Sequence, residues 1–442
     1  MALRGTLGPV RLWGFQTARE YIRMGENVKK TLTMACIGLA ALVAASLPVG
    51  ARAATMGPVT DSLGVIRIPK GAPIVIGGYW VLSGPDTALG LDEQRGVQVA
   101  IHDMGGQLLG HPIQLVSEDD QCNAEGGQTA ATKLASIPNM VIVIGPGCSS
   151  AATPAAPILW QAGIVDIGTA CTAPSLTAPD RKAGYDGFVR TVFSDNDQGA
   201  ADAHYLYDVM HMKTAVAVHD GSPYAQQLAH VFAAAFTSLG GKVFSIEAVA
   251  PTEVDMHPVL TRIASEKPDV LYMPIFVAAS AQILRQAKDI PGLQHTMIYG
   301  GASLMAPDMI EAAGPAVVGF RIGYPDVSPT SMGKTYPKLV AEYTQMFGEA
   351  PISGFHANAY DGATLAFKAI EAVAKTDSAG NLYIGKKALR DAVFATKFDG
   401  TSGQIACDQF GECAKFKPAV YQYTDADPKT FKIGVNPKRI NP

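Results

Sequence analysis

The chain has 442 residues, 48% of them hydrophobic and 17% charged, with a formal net charge of −4. That is globular composition, with enough length for roughly two or three domains. No basic patch, Arg-rich run or acid-rich tail is present, which argues against nucleic acid as a partner.

The N-terminus stands apart from the fold. Lys29 and Lys30 precede an apolar run from about Met34 to Leu47, and Ala51-Arg52-Ala53 follows. This three-part pattern predicts a signal peptide over 1–53, cut after Ala53. Met24 opens MGENVKK, the better basic segment, and is the expected true start. The apolar run is short for a membrane span, and the A-x-A site favours cleavage over anchoring. Cys36 starts the apolar run rather than ending it, so it is not read as a lipoprotein cysteine. The mature protein is expected to be soluble and exported.

Residues 54–71 are polar, contain Pro and Gly, show no period and are expected to form a flexible leader. Strand 74–79 then runs into Ser83-Gly84-Pro85. Val97, Ala100, Ile101 and Met104 share one helical stripe, ended by Gly105-Gly106. A strand at 113–117, a helix at 125–136 and strands at 141–144 and 164–167 follow. This alternation argues for a parallel sheet with crossover helices. After Arg190-Thr191-Val192-Phe193 the pattern restarts, with strands at 214–218, 243–248, 270–275 and 297–300 and helices between them. From about Ser328 the chain turns helical, and it ends in short β segments, Ala419 to Tyr423 the clearest. Two lobes sharing crossovers fit this order better than separate domains.

Gly145 to Thr177 draws most attention. Two successive strands end there in small, hydroxyl-rich loops, Gly-Pro-Gly-Cys-Ser-Ser and Gly-Thr-Ala-Cys-Thr-Ala-Pro. Strand C-termini in open parallel sheets are where ligands sit, and the first loop leads into a helix N-terminus, a natural anion site. The expectation is a small carboxylate held by these loops.

Catalytic signatures are missing by comparison. No G-x-S-x-G falls near a strand end, and the Gly-rich loops lack both G-x-x-x-x-G-K and G-x-G-x-x-G. His219 and His257 read as loop or core polar residues. Asp119-Asp120 and Asp195-Asn196-Asp197 do not match a calcium loop and read as solvated turns. Tyr224, after a strand end, either stacks on a ligand or opens a surface helix. The cysteines lack zinc spacing, so no metal, cofactor or enzymatic activity is expected. Cys122 and Cys148 follow predicted strands whose ends are close enough to bridge, and an export compartment permits it. Closing that loop contributes on the order of 3 kcal/mol in the chain-entropy model. Cys407 and Cys413 flank the turn-like DQFGE, and a bridge there staples a hairpin. Cys171 is left over.

The chain resembles the branched-chain amino acid (leucine/isoleucine/valine) binding proteins of ABC importers over nearly its whole mature length. The matching stretches are Ser83-Gly84-Pro85, Glu118 to Cys122, Cys148-Ser149-Ser150, Thr169 to Pro174, Arg190-Thr191, Ser194 to Gly199, His219-Asp220 with Tyr224, Gln282 to Gln286, and Ala359-Tyr360-Asp361. The resemblance implies an α/β, type I periplasmic binding protein fold, with two doubly wound lobes and three hinge crossovers near Thr191, Gly323 and Gly403. It divides the chain into a first lobe of 72–191 plus 324–402 and a second of 192–323 plus 403–442. It implies the Cys122–Cys148 disulfide, a periplasmic location, a permease partner and a monomer. It also implies that Ser149 and Thr172, with the nearby amides, bind a ligand carboxylate, with Ser150 also a ligand-binding residue. Ala170 C=O then accepts from the ligand ammonium, and Tyr224 faces the ligand from the other lobe.

Three positions depart from the family pattern. The acidic partner of the ammonium should fall near Ala302, where no carboxylate stands. An aromatic expected near Leu89 is absent, and Phe276 replaces a common tyrosine. The family default, a branched-chain or related amino acid, is the expected ligand, with another acid such as Asp361 or Asp220 supplying the missing charge. Alternatively the ligand is an aromatic or aliphatic acid without an amino group. In the second case Trp80, Tyr224 and Phe276 are its walls.

Overall fold

The structure is a computed structural model and describes residues 53–441. Apart from Ala53, the expected signal segment 1–53 lies outside the described residues, with Met24 and Cys36. No helix among the described residues is long and apolar enough to cross a membrane.

Two sheets organise the chain. The first runs, in spatial order, Gln107–Leu108, His111–Asp119, Ile74–Trp80, Met140–Ile144, Val165–Gly168 and Phe188–Arg190. All its neighbours are parallel except the small hairpin at its edge. The second runs Lys242–Ala248, Thr214–His219, Val270–Met273, Met297–Gly300, Arg321–Pro325, Pro418–Gln422 and Lys438–Asn441. Its last two strands are antiparallel additions. The parallel strands of each sheet, numbered by their order in the chain, lie 2-1-3-4-5. That is a doubly wound order with its switch point between strands 1 and 3.

The strand sequences explain why both faces are covered. Met140–Ile144 reads MVIVI and is buried throughout, as parallel strands between helical layers must be. Ile142 and Ile144 join one core cluster while Val143 joins the other. The helices Ala124–Ser136 and Ser149–Gln161 pack together, as do Thr87–Asp103 and His356–Val373.

The first 20 described residues correct the expectation of a flexible leader. Val65–Ile68 pairs antiparallel with Leu382–Gly385. Ile66 and Ile68 are buried while Arg67 between them is exposed, a period of two that a short segment hides well. Asp61 is buried and accepts hydrogen bonds from the Lys387 and Ala388 amides, both at 3.0 Å. It thereby satisfies the open N-terminus of the helix Lys386–Ala395.

Sheet membership also moves the lobe boundaries. The chain leaves the first sheet after Arg190 and the second after Pro325. The third crossing falls near Pro418 rather than Gly403. Gln404–Ala406 pairs with Lys397–Asp399, and Ile405 and Cys413 belong to the first lobe's core. At the hinge, Phe193 and Phe416 meet from two crossovers at a tilt, with ring centroids 4.6 Å apart. The disulfides Cys122–Cys148 and Cys407–Cys413 are both formed, and Cys171 is free and buried.

Candidate functional site

The loops at the two switch points face each other. Between them lies a small cavity of about 20 Å³, lined by Leu89, Gly147, Cys148, Ser149, Ala170, Thr172, Tyr224, Phe276, Ala302, Ser303 and Phe355. That is well below the usual volume of ligand pockets. A larger hollow, about 220 Å³, is lined by crossover residues such as Phe193, Asp326 and Lys417.

The first lobe supplies the polar wall. Ser149 opens the helix Ser149–Gln161 after Cys148, whose disulfide ties it to Cys122. Its Oγ accepts the Ala173 amide at 3.1 Å. That bond leaves the hydroxyl proton free to donate into the cavity. Pro146 C=O accepts the Thr169 and Ala170 amides, at 3.2 and 3.4 Å. The two hydroxyl-rich loops are thus bonded to each other. Thr172 is buried, and its Oγ1 lies near the Asp195 carboxylate but makes no hydrogen bond of good geometry. A buried hydroxyl without a partner is costly, and a ligand oxygen would satisfy it. Beneath this wall, Thr169 Oγ1 donates to buried Glu93, whose second oxygen lies under Gly147. A Cβ on Gly147 would come within 2.2 Å of Glu93 Oε1, so only glycine fits here. Burial pushes the Glu93 carboxyl well above its ordinary range, against the hydroxyl bond that pulls it down.

The second lobe supplies the apolar wall. Tyr224 follows strand 1 of its sheet, Phe276 follows strand 3, and Ala302 follows strand 4. The Tyr224 and Phe276 rings lie 5.5 Å apart. Tyr224 OH donates to Ser303 Oγ at 3.3 Å, and a Cβ on Gly301 would lie 2.5 Å from that hydroxyl. Ser303 Oγ donates to Ile275 C=O at 3.0 Å. The polar atoms of this wall are therefore occupied within the lobe.

One acid stands just behind the cavity. Asp195 opens the helix Asp195–His204 directly after the first crossover, and its amide donates to Thr172 C=O at 3.0 Å. It is fully buried, and neither carboxylate oxygen has a hydrogen-bond partner. Burial pushes its carboxyl up to about 7, with the Thr172 hydroxyl and the Arg190 charge pulling the other way. Its charge also adds to burial in raising the Tyr224 hydroxyl.

Both rims of the cleft are bridged, so the lobes are closed on each other. Val277 N donates to Asp86 Oδ1 at 3.2 Å, and Ala88 N to Asp308 Oδ2 at 3.4 Å. Ser175 N donates to Gln227 Oε1 and Gln227 Nε2 to Ser175 Oγ, both at 2.9 Å.

Of the residues singled out from sequence, Ser149, Ala170, Thr172, Tyr224, Phe276 and Ala302 line the cavity. Trp80 does not: its ring folds back over Gly78 into the first lobe's core and is fully buried. Ser150 does not line it either; its hydroxyl donates to Cys122 C=O at 2.6 Å. Neither proposed substitute acid reaches the cavity. Asp361 is buried and accepts from the Thr401 and Ser402 amides, both at 2.7 Å, holding that turn. Asp220 accepts from the Ser222 amide at 3.0 Å. Phe355, Ser303 and Gly147 are lining residues that sequence reasoning missed. Phe355 follows the second crossover, and no local pattern marks it. Among the described residues, no cluster of three or more His, Cys, Asp or Glu is placed to hold a metal.

Two doubly wound lobes closing on a small cavity through their switch-point loops define a two-lobed solute-binding architecture. A model of the periplasmic binding protein family matches residues 73–414, and the chain belongs to that family. It is 30% identical over 246 residues to the Leu/Ile/Val-binding protein of Escherichia coli K12, covering 55% of this chain and 65% of that one. The match thus spans just under two thirds of that relative. The fold is that of type I periplasmic binding proteins. A leucine-binding protein from Thermotoga maritima superposes with a TM-score of 0.71 at 25% identity, over 80% of this chain and 96% of its own. A solute-binding protein of an ABC transporter from R. palustris, in complex with benzoate, superposes with a TM-score of 0.68 at 21% identity, over 84% and 95%. These relatives are described as binding proteins, none as an enzyme.

Proposed function

We propose that the protein is the periplasmic solute-binding component of an ABC importer. It captures a small carboxylate with an apolar tail between its lobes and delivers it to a membrane permease. The observation that carries this reading is the division of the cavity. Oriented hydroxyls, Ser149 and Thr172, form one wall, and Phe276, Tyr224, Ala302, Leu89 and Phe355 surround the rest, with no charged side chain in the lining. A bare carboxylate is held by donors such as these, whereas an ammonium beside Ala302 would lack a counter-charge. Aromatic or aliphatic monocarboxylates are therefore the favoured class, and the benzoate-bound relative is in keeping with that. Closure adds the second lobe's contacts, so the ligand stabilises the closed form.

A second reading has its own observation. Asp195, buried and unpartnered behind Thr172, is a counter-charge for an amino acid whose ammonium also meets Ala170 C=O. The two readings separate in a thermal-shift screen with the mature protein, using benzoate, short branched-chain acids and the corresponding L-amino acids. Stabilisation by the acids alone supports the first. Stabilisation by L-leucine, L-isoleucine or L-valine alone overturns it in favour of the second.

A further inference from the structure

Arg190 ends the last strand of the first lobe, and its side chain turns under the loop that carries Thr172. It is fully buried. One terminal nitrogen donates to Cys171 C=O at 3.2 Å and to Ala173 C=O at 2.9 Å, the two carbonyls flanking Thr172. The other donates to Thr177 Oγ1 at 2.8 Å and to Glu412 Oε1. Nε donates to Glu412 Oε2 at 3.0 Å. Every N–H of the guanidinium is engaged, and its planar fork sets three oxygens of one loop against one carboxylate.

Glu412 belongs to the loop closed by Cys407–Cys413. The same loop docks on the backbone of Arg190. Arg190 N donates to Gly411 C=O at 2.9 Å, and Cys413 N donates to Arg190 C=O at 3.1 Å. Thr177 Oγ1 also donates to Glu412. The disulfide loop, the Arg190 side chain and the Thr172 loop thus form one continuous brace, none of which except Thr172 and Ala170 touches the cavity.

We infer, on the reading of Thr172 as a carboxylate anchor, that Arg190 is a positioning residue for ligand binding, held in place by Glu412 on the Cys407–Cys413 loop. A buried guanidinium needs its counter-charge. Without the Glu412 charge it shifts toward solvent, and the Cys171 and Ala173 carbonyls lose their fixed donor. Thr172 then leaves its register with Ser149, whose Oγ is bonded to Ala173 N.

Hydrogen exchange on the ligand-free mature protein tests the brace directly. In Glu412→Gln, amides in the 170–177 segment should exchange at least about tenfold faster. Segments 219–226 and 299–305 of the second lobe should be unchanged. Cys407→Ser with Cys413→Ser should give the same pattern, and it carries the test if Glu412→Gln does not fold. Unchanged exchange at 170–177, or equal acceleration in both lobes, overturns the positioning role. The second arm measures affinity for benzoate and for L-leucine. Glu412→Gln should weaken whichever probe binds by about tenfold, yet cost less than about twofold once Thr172 is alanine, since both changes act through one anchor. Equal losses in the two backgrounds overturn the coupling. The exchange arm needs no ligand, so failure of both probes on the unmodified protein sinks the carboxylate reading alone.

Discussion

The two lobes offer the same three places and fill them with opposite chemistry. Strands 1, 3 and 4 of each sheet end at the cleft. In the first lobe they lead to Leu89, Ser149 and Thr172, and in the second to Tyr224, Phe276 and Ala302. Strand 3 ends in a hydroxyl on one side and an aromatic ring on the other. Strand 4 ends in a hydroxyl on one side and a methyl on the other. An anion needs donors fixed before it arrives, because reorienting them costs binding energy. The first lobe meets that need with its disulfide, its loop-to-loop bonds and Arg190. An apolar tail needs only area, which the second lobe adds when it closes.

The strongest test of this division places a charge on the wrong wall. Ala302→Asp buries a carboxylate among Tyr224, Phe276 and Leu304, near the ligand's own. An uncompensated buried charge costs about 3–5 kcal/mol, so affinity for benzoate in a calorimetric titration should fall more than about a hundredfold. A concurrent gain for L-leucine would show that the missing acid alone sets ligand class. Unchanged benzoate affinity would mean that the ligand does not approach Ala302.

Thr172→Ala attacks the polar wall instead. Losing a hydrogen bond to a charged group costs about 1.5–3 kcal/mol, or roughly tenfold to 150-fold in affinity. The melting temperature should change little, since Thr172 Oγ1 lies near Asp195 but makes no hydrogen bond of good geometry within the protein. Ser149→Ala should lose a similar amount of affinity and also some stability, because its Oγ anchors Ala173 N. Equal affinity in Thr172→Ala would remove that residue from the site.

This asymmetry also explains what could be read in advance. Ser149 and Thr172 were legible because both follow mostly apolar strands, and strand-end hydroxyls in a parallel sheet have a known use. Tyr224 was open to two readings from its place after a strand end, and Phe276 and Ala302 were reached through the family resemblance. Trp80 failed because side-chain direction decides its role: at a strand terminus it turned to the core. Phe355 could not be found, because only the second crossover brings it to the cleft. The segment 54–71 was misread because its partner strand, Leu382–Gly385, lies some three hundred residues away. Arg190 was visible as part of a matching stretch, but its five bonds depend on Glu412 and Thr177 converging in space.

The closed rims make a prediction in pH. Burial, with Asp308 and Asp220 nearby, pushes the Asp86 carboxyl up to about 6, against the bond from Val277 N. Its partner and both neighbouring acids lie on the second lobe, so the shift belongs to the closed form. A raised value means that closing favours the protonated acid. Its contribution is full below the ordinary carboxylate range and is lost as pH rises through about 6. Asp86 keeps partial solvent contact, which screens the effect. Benzoate affinity should therefore rise about threefold to tenfold between pH 7.5 and 5.5. Asp86→Asn should bind more tightly than the unmodified protein at pH 7.5 and lose most of that slope. Weaker binding by the variant at pH 7.5 would reverse the sign of the argument.

The smallest expected effect is the most selective between the walls. Tyr224 OH is engaged with Ser303, at 3.3 Å to its Oγ and 3.5 Å from its amide. If the second lobe contributes area only, Tyr224→Phe keeps the ring against Phe276 and removes nothing the ligand uses. Ser303 Oγ retains its bond to Ile275 C=O. Affinity should then change by less than about threefold, within the range of one long neutral hydrogen bond. A tenfold loss would place a donor on the apolar wall. The ligand would then carry a polar group at its far end, and the division between the lobes would have to be redrawn around that hydroxyl.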